Sequence, residues 1–236
     1  MFKPIFLDIE TIPTQRDDVK AYIANSVTHP GNISKAETIA KWNEESRPAA
    51  VEEAIGKTGL DGAFGQVVCV GIAIGDGPAL VEASLTERDV LLGLNVRLDD
   101  VRAADVVAST IVGHNVSAFD LRFLIQRYIV NSIRPHTIIA RAAQAKPWEG
   151  EKVYDTMVQF AGAGNRISLD KLCLSLGLPG KGEISGKDVW PMVQAGKLKE
   201  VADYCASDVT KTREVFNRMT FANVLQAAQH FDDVAA

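Results

Sequence analysis

The spacing of apolar and polar positions predicts short buried strands alternating with amphipathic helices. The apolar run at residues 4–7 is too short for a helix and predicts a central strand that ends at Asp8. Two β-rich runs, 67–74 and 79–84, are joined by a Gly-Asp-Gly-Pro turn, whose glycines permit a tight reversal of the chain. These two runs predict an antiparallel hairpin.

Helical spacing of apolar residues dominates the rest of the chain. It covers residues 86–104 and leads into a predicted strand at 106–113. The further predicted elements are a helix starting near Ser117, a strand at 153–157, and helices from Ser168 onward that break near 177–186 and at Pro191. Strands, a hairpin and crossover helices in this order predict a mixed α/β sheet.

The segment at about 13–66 differs from its surroundings, because amphipathic helical stretches near 36–42 and 51–55 interrupt the strands. With 236 residues the chain fits one large domain better than two full ones. We therefore expect a single domain over 1–236 with a helical insertion at about 13–66. We interpret the insertion as a flap over substrate or a contact between copies of the chain.

Composition narrows the class of protein. The chain is 47% hydrophobic and 23% charged, as globular proteins are, and no apolar run reaches the roughly 18 residues of a membrane helix, so we expect a cytoplasmic protein. Cys69, Cys173 and Cys205 are odd in number and sit among apolar neighbours, which indicates reduced packing cysteines. The net charge of −5 argues against a broad basic surface that coats nucleic acid.

One stretch, residues 121–148, contains no acidic residue and mixes cations with aromatic rings. Its members are Arg122, Arg127, Arg134, Arg141, Lys146, Phe123, Tyr128 and Trp148. Such a mixture is able to hold phosphates and stack bases, which predicts a local grip on nucleic acid. The alternative is a helix face whose cations only stay in water.

Three short patterns carry carboxylates. Asp8 and Glu10 are two residues apart at the end of the first predicted strand, so they point to one face and suit a hard divalent cation. Asp120 follows a strand and opens a helix near the same sheet edge. Tyr204 and Asp208 are four apart in a helical run and share a helix face. We predict that these side chains converge.

The three patterns differ in how specific they are. Asp-x-Glu alone is expected about once by chance, whereas all three patterns in this order are expected on the order of 0.001 times. Each also has a purely structural alternative. The first is a solvated strand end, the second a Ser-x-x-Asp helix cap starting at Ser117, and the third an ordinary helix pair.

These patterns resemble the three motifs of the DEDD 3′–5′ exonucleases, in the subgroup whose last motif carries Tyr. The segments concerned are FLDIET at 6–11, NVSAFD at 115–120 and YCASD at 204–208. The context Asp-Ile-Glu-Thr-x-Pro, the Gly-His-Asn at 113–115 and the segment 167–181 are similar to predicted exonucleases related to the proofreading domain of family B DNA polymerases. The resemblance covers nearly the whole chain.

The resemblance implies a ribonuclease H-like fold, with a mixed five-stranded sheet flanked by helices and an antiparallel second strand. It implies that the catalytic residues are Asp8, Glu10, Asp120, Tyr204 and Asp208. The four acids would bind two divalent cations, Mg²⁺ or Mn²⁺, and Tyr204 would orient the attacking water. Physical chemistry agrees, since four converging carboxylates repel one another unless cations offset their charge.

Four further residues are candidate substrate contacts: Thr11, His114, Asn115 and Phe119. For His114 we favour a structural role, and for Asn115 and Phe119 support of the turn and the core is an equal alternative to contact with a base. Asp155 resembles no family ligand and is interpreted as a loop or sheet-edge acid.

We therefore expect a metal-dependent 3′–5′ exonuclease that acts by a two-metal-ion mechanism on the 3′ end of single-stranded DNA and releases nucleoside 5′-monophosphates. DNA is preferred over RNA through the resemblance only. The alternatives are an exoribonuclease that trims RNA ends, a non-catalytic module that binds nucleic-acid ends, and an endonuclease or phosphatase on the same scaffold. A separate polymerase or repair protein is a candidate partner.

Overall fold

The computed structural model describes residues 3–101, 103–180, 182 and 184–222, with side chains except at 103 and 104. Within these residues, five strands form one sheet. They are β1 (Lys3–Ile12), β2 (Gln66–Ile74), β3 (Leu80–Ala83), β4 (Ser109–Gly113) and β5 (Val153–Asp155).

The sheet has the order β3-β2-β1-β4-β5. β2 runs antiparallel to both β1 and β3, whereas β4 is parallel to β1 and to β5. The predicted hairpin and the predicted mixed sheet with an antiparallel second strand are both confirmed. This places β1 in the centre of the sheet.

Helices cover both faces of the sheet. The first three follow β1: α1 (Asp17–Ser26), α2 (Ala36–Glu45) and α3 (Arg47–Lys57). The others described are α4 (Glu87–Asp99), α5 (Ala103–Val106), α6 (Asp120–Val130), α7 (Thr137–Ala143), α8 (Thr156–Ala161), α9 (Leu169–Ser175), α10 (Val189–Gln194) and α11 (Leu198–Met219). None of the helices in the described ranges is both long and apolar enough to cross a membrane.

The alternation of side chains along β1 supplies a core on each face of the sheet. Ile5, Leu7 and Ile9 are buried in the larger core, which contains apolar residues of α4, α6 and α7. Phe6 and Ile12 pack on the opposite face with residues of α11. Each fully buried large apolar side chain contributes roughly 1.5–3 kcal/mol, so α11 is held firmly against the sheet.

The prediction that β1 ends at Asp8 is wrong. The strand continues to Ile12, because Ile9 and Ile12 keep the apolar alternation going and β2 pairs with it as far as Gln66. The ladder is irregular between Glu10 and Thr11. Asp8 and Glu10 therefore lie within the central strand, and pairing with β2 holds the backbone before and after them.

Three other predicted boundaries are corrected. The strand predicted at 106–113 starts only at Ser109, after the short helix α5. The strand predicted at 153–157 ends at Asp155, whose side chain caps the next helix. Pro191 does not break a helix but lies in the first turn of α10, where the missing N–H costs nothing.

The segment between β1 and β2 is helical, as predicted for the insertion. α1 buries Val19 and Ile23, whereas α2 and α3 have no fully buried residue. Its C-terminal end is fastened to β1, since the Thr11 hydroxyl donates to the Gly59 carbonyl at 2.6 Å. Its roles as a flap or as a contact between copies stay predictions.

Candidate active site

The side chains of Asp8 and Glu10 lie on the face of β1 that α11 covers. Their neighbours along the strand, Phe6 and Ile12, pack against α11 on that face. The sulfur of Cys205 on α11 lies 3.6 Å from the backbone carbonyl oxygen of Asp8. The predicted period of two therefore places both carboxylates between the sheet and α11.

Asp120 is brought to these residues by the turn that follows β4. It is the first residue of α6, it is buried, and its Oδ1 accepts a hydrogen bond of 3.1 Å from the backbone N–H of Ile9. The alternative of a cap starting at Ser117 is wrong, because the residue flanking the helix is Phe119 and no side chain caps it. Asp120 instead binds the central strand across 111 residues of sequence.

Tyr204 and Asp208 are on one face of α11, as their spacing predicts. The Tyr204 phenol lies near the Asp208 carboxylate, which contributes to the raised pKa of the phenol. Lys211, one turn further on, lies 2.9 Å from Oδ1 of Asp208. Asp208 therefore has a phenol nearby and a cation within hydrogen-bond distance.

A glycine in β2 sets the distance between α11 and the sheet. Gly71 pairs with Asp8 in the ladder. A Cβ at Gly71 would lie 2.7 Å from Cγ2 of Val209 and 2.9 Å from Sγ of Cys205, which is closer than real contacts allow. The absence of a side chain here lets α11 bring its functional residues close to β1.

The carboxylates act on one another electrostatically. Burial, followed by the charges of Glu10, Asp120 and Asp208, raises the pKa of Asp8 well above its usual value. Burial likewise raises the pKa of Glu10, and the charges of Cys69, Asp208 and Asp120 add to this rise.

Burial also raises the pKa of Asp120 to about 7, although hydrogen bonds from backbone N–H groups oppose the change. The pKa of the Tyr204 phenol is raised by burial and by the nearby acids, chiefly Asp208, so this phenol stays protonated at neutral pH. The shared perturbation of three acids and one phenol is typical of a functional site.

The site offers the right donor atoms for a hard divalent cation. Oδ2 of Asp8 is buried without a hydrogen-bond partner, and the four side chains supply only oxygen, which Mg²⁺ and Mn²⁺ prefer. Within the described residues, no three such side chains are already arranged to hold a metal ion. Asp120 is turned to Ile9 and Asp208 to Lys211, so these two carboxylates would have to reorient to join a shared cation.

The candidate substrate contacts are placed differently from the acids. Both ring nitrogens of His114 have protein partners, the Thr156 hydroxyl at 2.9 Å and the Ile167 carbonyl oxygen at 2.8 Å, which favours its structural role. Burial lowers the pKa of this imidazole. Phe119 packs partly on the core and contacts the ring of Phe123. The hydroxyl of Thr11 donates its hydrogen bond to the Gly59 carbonyl of the insertion.

Asp155 is more important than its interpretation as a loop or sheet-edge acid suggested. It ends β5 and is buried, and its carboxylate accepts hydrogen bonds from the backbone N–H groups of Asn115 at 2.9 Å and Ser117 at 3.0 Å. Asn115 has a positive φ of 62°, an uncommon conformation that these bonds help to hold. Asp155 thereby orders the turn that delivers Asp120. The sequence signal that points to it is an acid directly before a helix.

The basic stretch at 121–148 does not form one face. Arg127 is buried and pairs with Glu87, with Nη2 and Oε2 2.7 Å apart. Arg141 donates to the backbone carbonyls of Val107 and Ser109, at the end of β4 opposite the acids. The predicted grip is therefore wrong for this stretch as a unit. Arg122, two residues after Asp120, is exposed in the first turn of α6.

Comparisons with known proteins agree with this geometry. Residues 100–235 match the model of a family described as predicted 3′-5′ exonucleases related to the exonuclease domain of PolB. The fold is similar to that of the family B DNA polymerase from the hyperthermophilic archaeon Pyrobaculum calidifontis, with a TM-score of 0.54 and 16% identity over 92% of this chain. The chain spans about a quarter of that polymerase, 24% of its length. No curated protein matches significantly.

The mixed five-stranded sheet flanked by helices is a ribonuclease H-like fold, similar to that of part of the polymerase. The matched segment covers more than half of the chain and contains Asp120, Tyr204 and Asp208. The chain belongs to the family of predicted 3′–5′ exonucleases related to the exonuclease domain of PolB. This confirms the resemblance inferred from the sequence motifs.

Proposed function

We propose that the protein hydrolyses single-stranded DNA from its 3′ end and releases nucleoside 5′-monophosphates. The observation that supports the proposal is the electrostatic influence that Asp8, Glu10, Asp120, Tyr204 and Asp208 have on one another at this edge of the sheet. A protein that only binds nucleic acid gains nothing from buried carboxylates that repel one another and the phosphate backbone. A hydrolase gains from these carboxylates, because they can bind the divalent cations that it uses.

The four carboxylates are the proposed ligands of two divalent cations, Mg²⁺ or Mn²⁺. When bound, such cations offset the repulsion among the acids and act as Lewis acids toward a phosphodiester. Oδ2 of Asp8, which has no hydrogen-bond partner among the described residues, is a ready ligand atom, whereas Asp120 would have to leave its hydrogen bond with Ile9.

Tyr204 is the proposed positioning group for the attacking water. Because its raised pKa keeps the phenol protonated, it does not act as a base at neutral pH. A protonated phenol is both a donor and an acceptor, so its oxygen can accept a hydrogen bond from a water O–H. Tyr204 would orient this water beside Asp208.

The test is cleavage of 5′-labelled single-stranded DNA, and of RNA of the same sequence, with Mg²⁺ or Mn²⁺. We expect a ladder that shortens by one nucleotide at a time, faster on DNA than on RNA. Faster cleavage of RNA would favour the exoribonuclease. Internal cuts would favour an endonuclease, and the absence of cleavage would favour a binding module. Asp8→Asn should abolish the ladder, whereas the matched change at an exposed acid, Asp17→Asn, should leave it unchanged.

A further inference from the structure

Lys211 stands out among the residues around the candidate active site. Its Nζ lies 2.9 Å from Asp208 Oδ1, and the two side chains are only 12% and 15% exposed. In the part of the chain that the structure describes, no other lysine or arginine forms an ion pair with Asp8, Glu10, Asp120 or Asp208. Among the described residues, Lys211 is therefore the one cation paired with a member of the acidic set.

The same lysine lines open space beside the acids. Two adjoining clefts of about 530 and 300 Å³ run along α11, and both are lined by Lys211 and Ser207. Tyr204 lines the smaller cleft. The side chain of Lys211 therefore extends between Asp208 and a space large enough to admit part of a nucleotide.

We infer that Lys211 exchanges partners during substrate binding. It neutralises Asp208 until a divalent cation takes that carboxylate, and its ammonium group then binds an oxygen of the substrate phosphate in the adjoining cleft. This inference rests on the proposed function, and it assigns a phosphate-positioning role to a residue outside the acidic set.

Electrostatics supports such an exchange. A divalent cation on Asp208 would repel an ammonium group within hydrogen-bond distance of the same carboxylate. Lysine is a compact charge on a flexible stem, so it can turn to a new anion without movement of the helix. Of the three acids that line the clefts, Asp203 is already paired with Lys199 at 2.6 Å, and within the described residues Glu200 and Glu214 form no ion pair with Lys211.

A plain structural role predicts something different. Residues 208 and 211 are three apart on α11, and pairs at this spacing stabilise a helix by a few tenths of a kcal/mol. In that case the loss of the lysine would lower the melting temperature and leave cation and phosphate binding unchanged. The two roles are therefore separable by binding measurements on the folded protein.

The test uses Lys211→Met, which keeps most of the aliphatic stem. Isothermal titration calorimetry measures binding of Mn²⁺ alone, and then binding of thymidine 5′-monophosphate at saturating Mn²⁺. We expect Mn²⁺ to bind roughly 3- to 10-fold more tightly because the competing cation is gone. We expect the nucleotide to bind roughly 5- to 20-fold more weakly because a charged hydrogen bond is lost.

Two control variants isolate the effect. Lys152→Met removes an ion pair of the same spacing, with Glu149, away from α11 and should change neither constant, and Lys211→Arg should stay close to the wild type. Melting in EDTA verifies that each variant is folded. Unchanged Mn²⁺ or nucleotide binding in Lys211→Met would overturn the exchange alone. A wild-type protein that binds no Mn²⁺ would overturn the proposed function and, with it, the exchange.

Discussion

The carboxylate of Asp120 accepts a hydrogen bond of 3.1 Å from the backbone N–H of Ile9, the residue between Asp8 and Glu10. This bond joins the start of α6 to the central strand. It places a third acid beside the first two, and it explains how residues 111 positions apart come to share one site.

The raised pKa of Asp120 makes stability depend on pH. Its carboxyl has a pKa of about 7 in the folded chain against 3.8 ordinarily, so folding favours the protonated form. This contribution to stability is complete below about pH 4 and is lost as the pH rises through 7. In EDTA, the melting temperature should therefore fall between pH 5 and pH 8.

The matched variant for this effect is Asp120→Asn, which keeps an oxygen for the Ile9 N–H. Its melting temperature should fall less over the same pH range, because the titrating group is gone. Equal slopes for the wild type and Asp120→Asn in scanning calorimetry would contradict the assignment.

Removal of the Tyr204 hydroxyl should impair turnover with little effect on folding. Tyr204→Phe keeps the ring that packs against the cluster containing Ile12 but loses the hydroxyl near Asp208 that is proposed to orient the water. We expect kcat to fall about 10- to 100-fold. Steady-state kinetics on labelled DNA measure this, and wild-type activity in Tyr204→Phe would rule out the positioning role.

The spacing between α11 and β2 should be critical. Gly71→Ala forces a Cβ against Val209 and Cys205, so we expect a loss of about 1–3 kcal/mol in the free energy of unfolding and a large loss of activity. Gly56→Ala, in the exposed helix α3 with open space around it, should be neutral or slightly stabilising. Urea denaturation distinguishes the two, and equal stabilities would show that α11 adjusts freely.

The pair between Arg127 and Glu87 should be structural and not part of a nucleic-acid interface. Both side chains are only 7% exposed, and Glu87 also accepts from the N–H of Val67. Arg127→Met leaves a buried charge without its partner and should cost about 3–5 kcal/mol. The affinity of the folded fraction for DNA should stay unchanged in an anisotropy titration, whereas a selective loss of affinity would restore the nucleic-acid role.

Local patterns predicted the parts of the site that depend on local geometry. The period of two placed Asp8 and Glu10 on one face, and the spacing of four placed Tyr204 beside Asp208. A pair spaced three apart, such as Asp208 and Lys211, follows the same rule, although the sequence alone does not single it out.

The sequence alone did not predict the contacts between distant segments. The partner of Arg127 lies 40 residues away, and the N–H groups of Asn115 and Ser117 reach Asp155 only once β4 and β5 pair. The end of β1 was misplaced for the same reason, since pairing with β2 extends the strand beyond a charged residue. Tertiary context decided each of these cases.

The most direct test of the shared acidic site is a crystal structure of the protein soaked with Mn²⁺, with anomalous scattering used to locate the ions. The account predicts two anomalous peaks between β1 and α11, each within about 2.0–2.3 Å of carboxylate oxygens from Asp8, Glu10, Asp120 or Asp208. A fully soaked crystal without a peak at these carboxylates would contradict it.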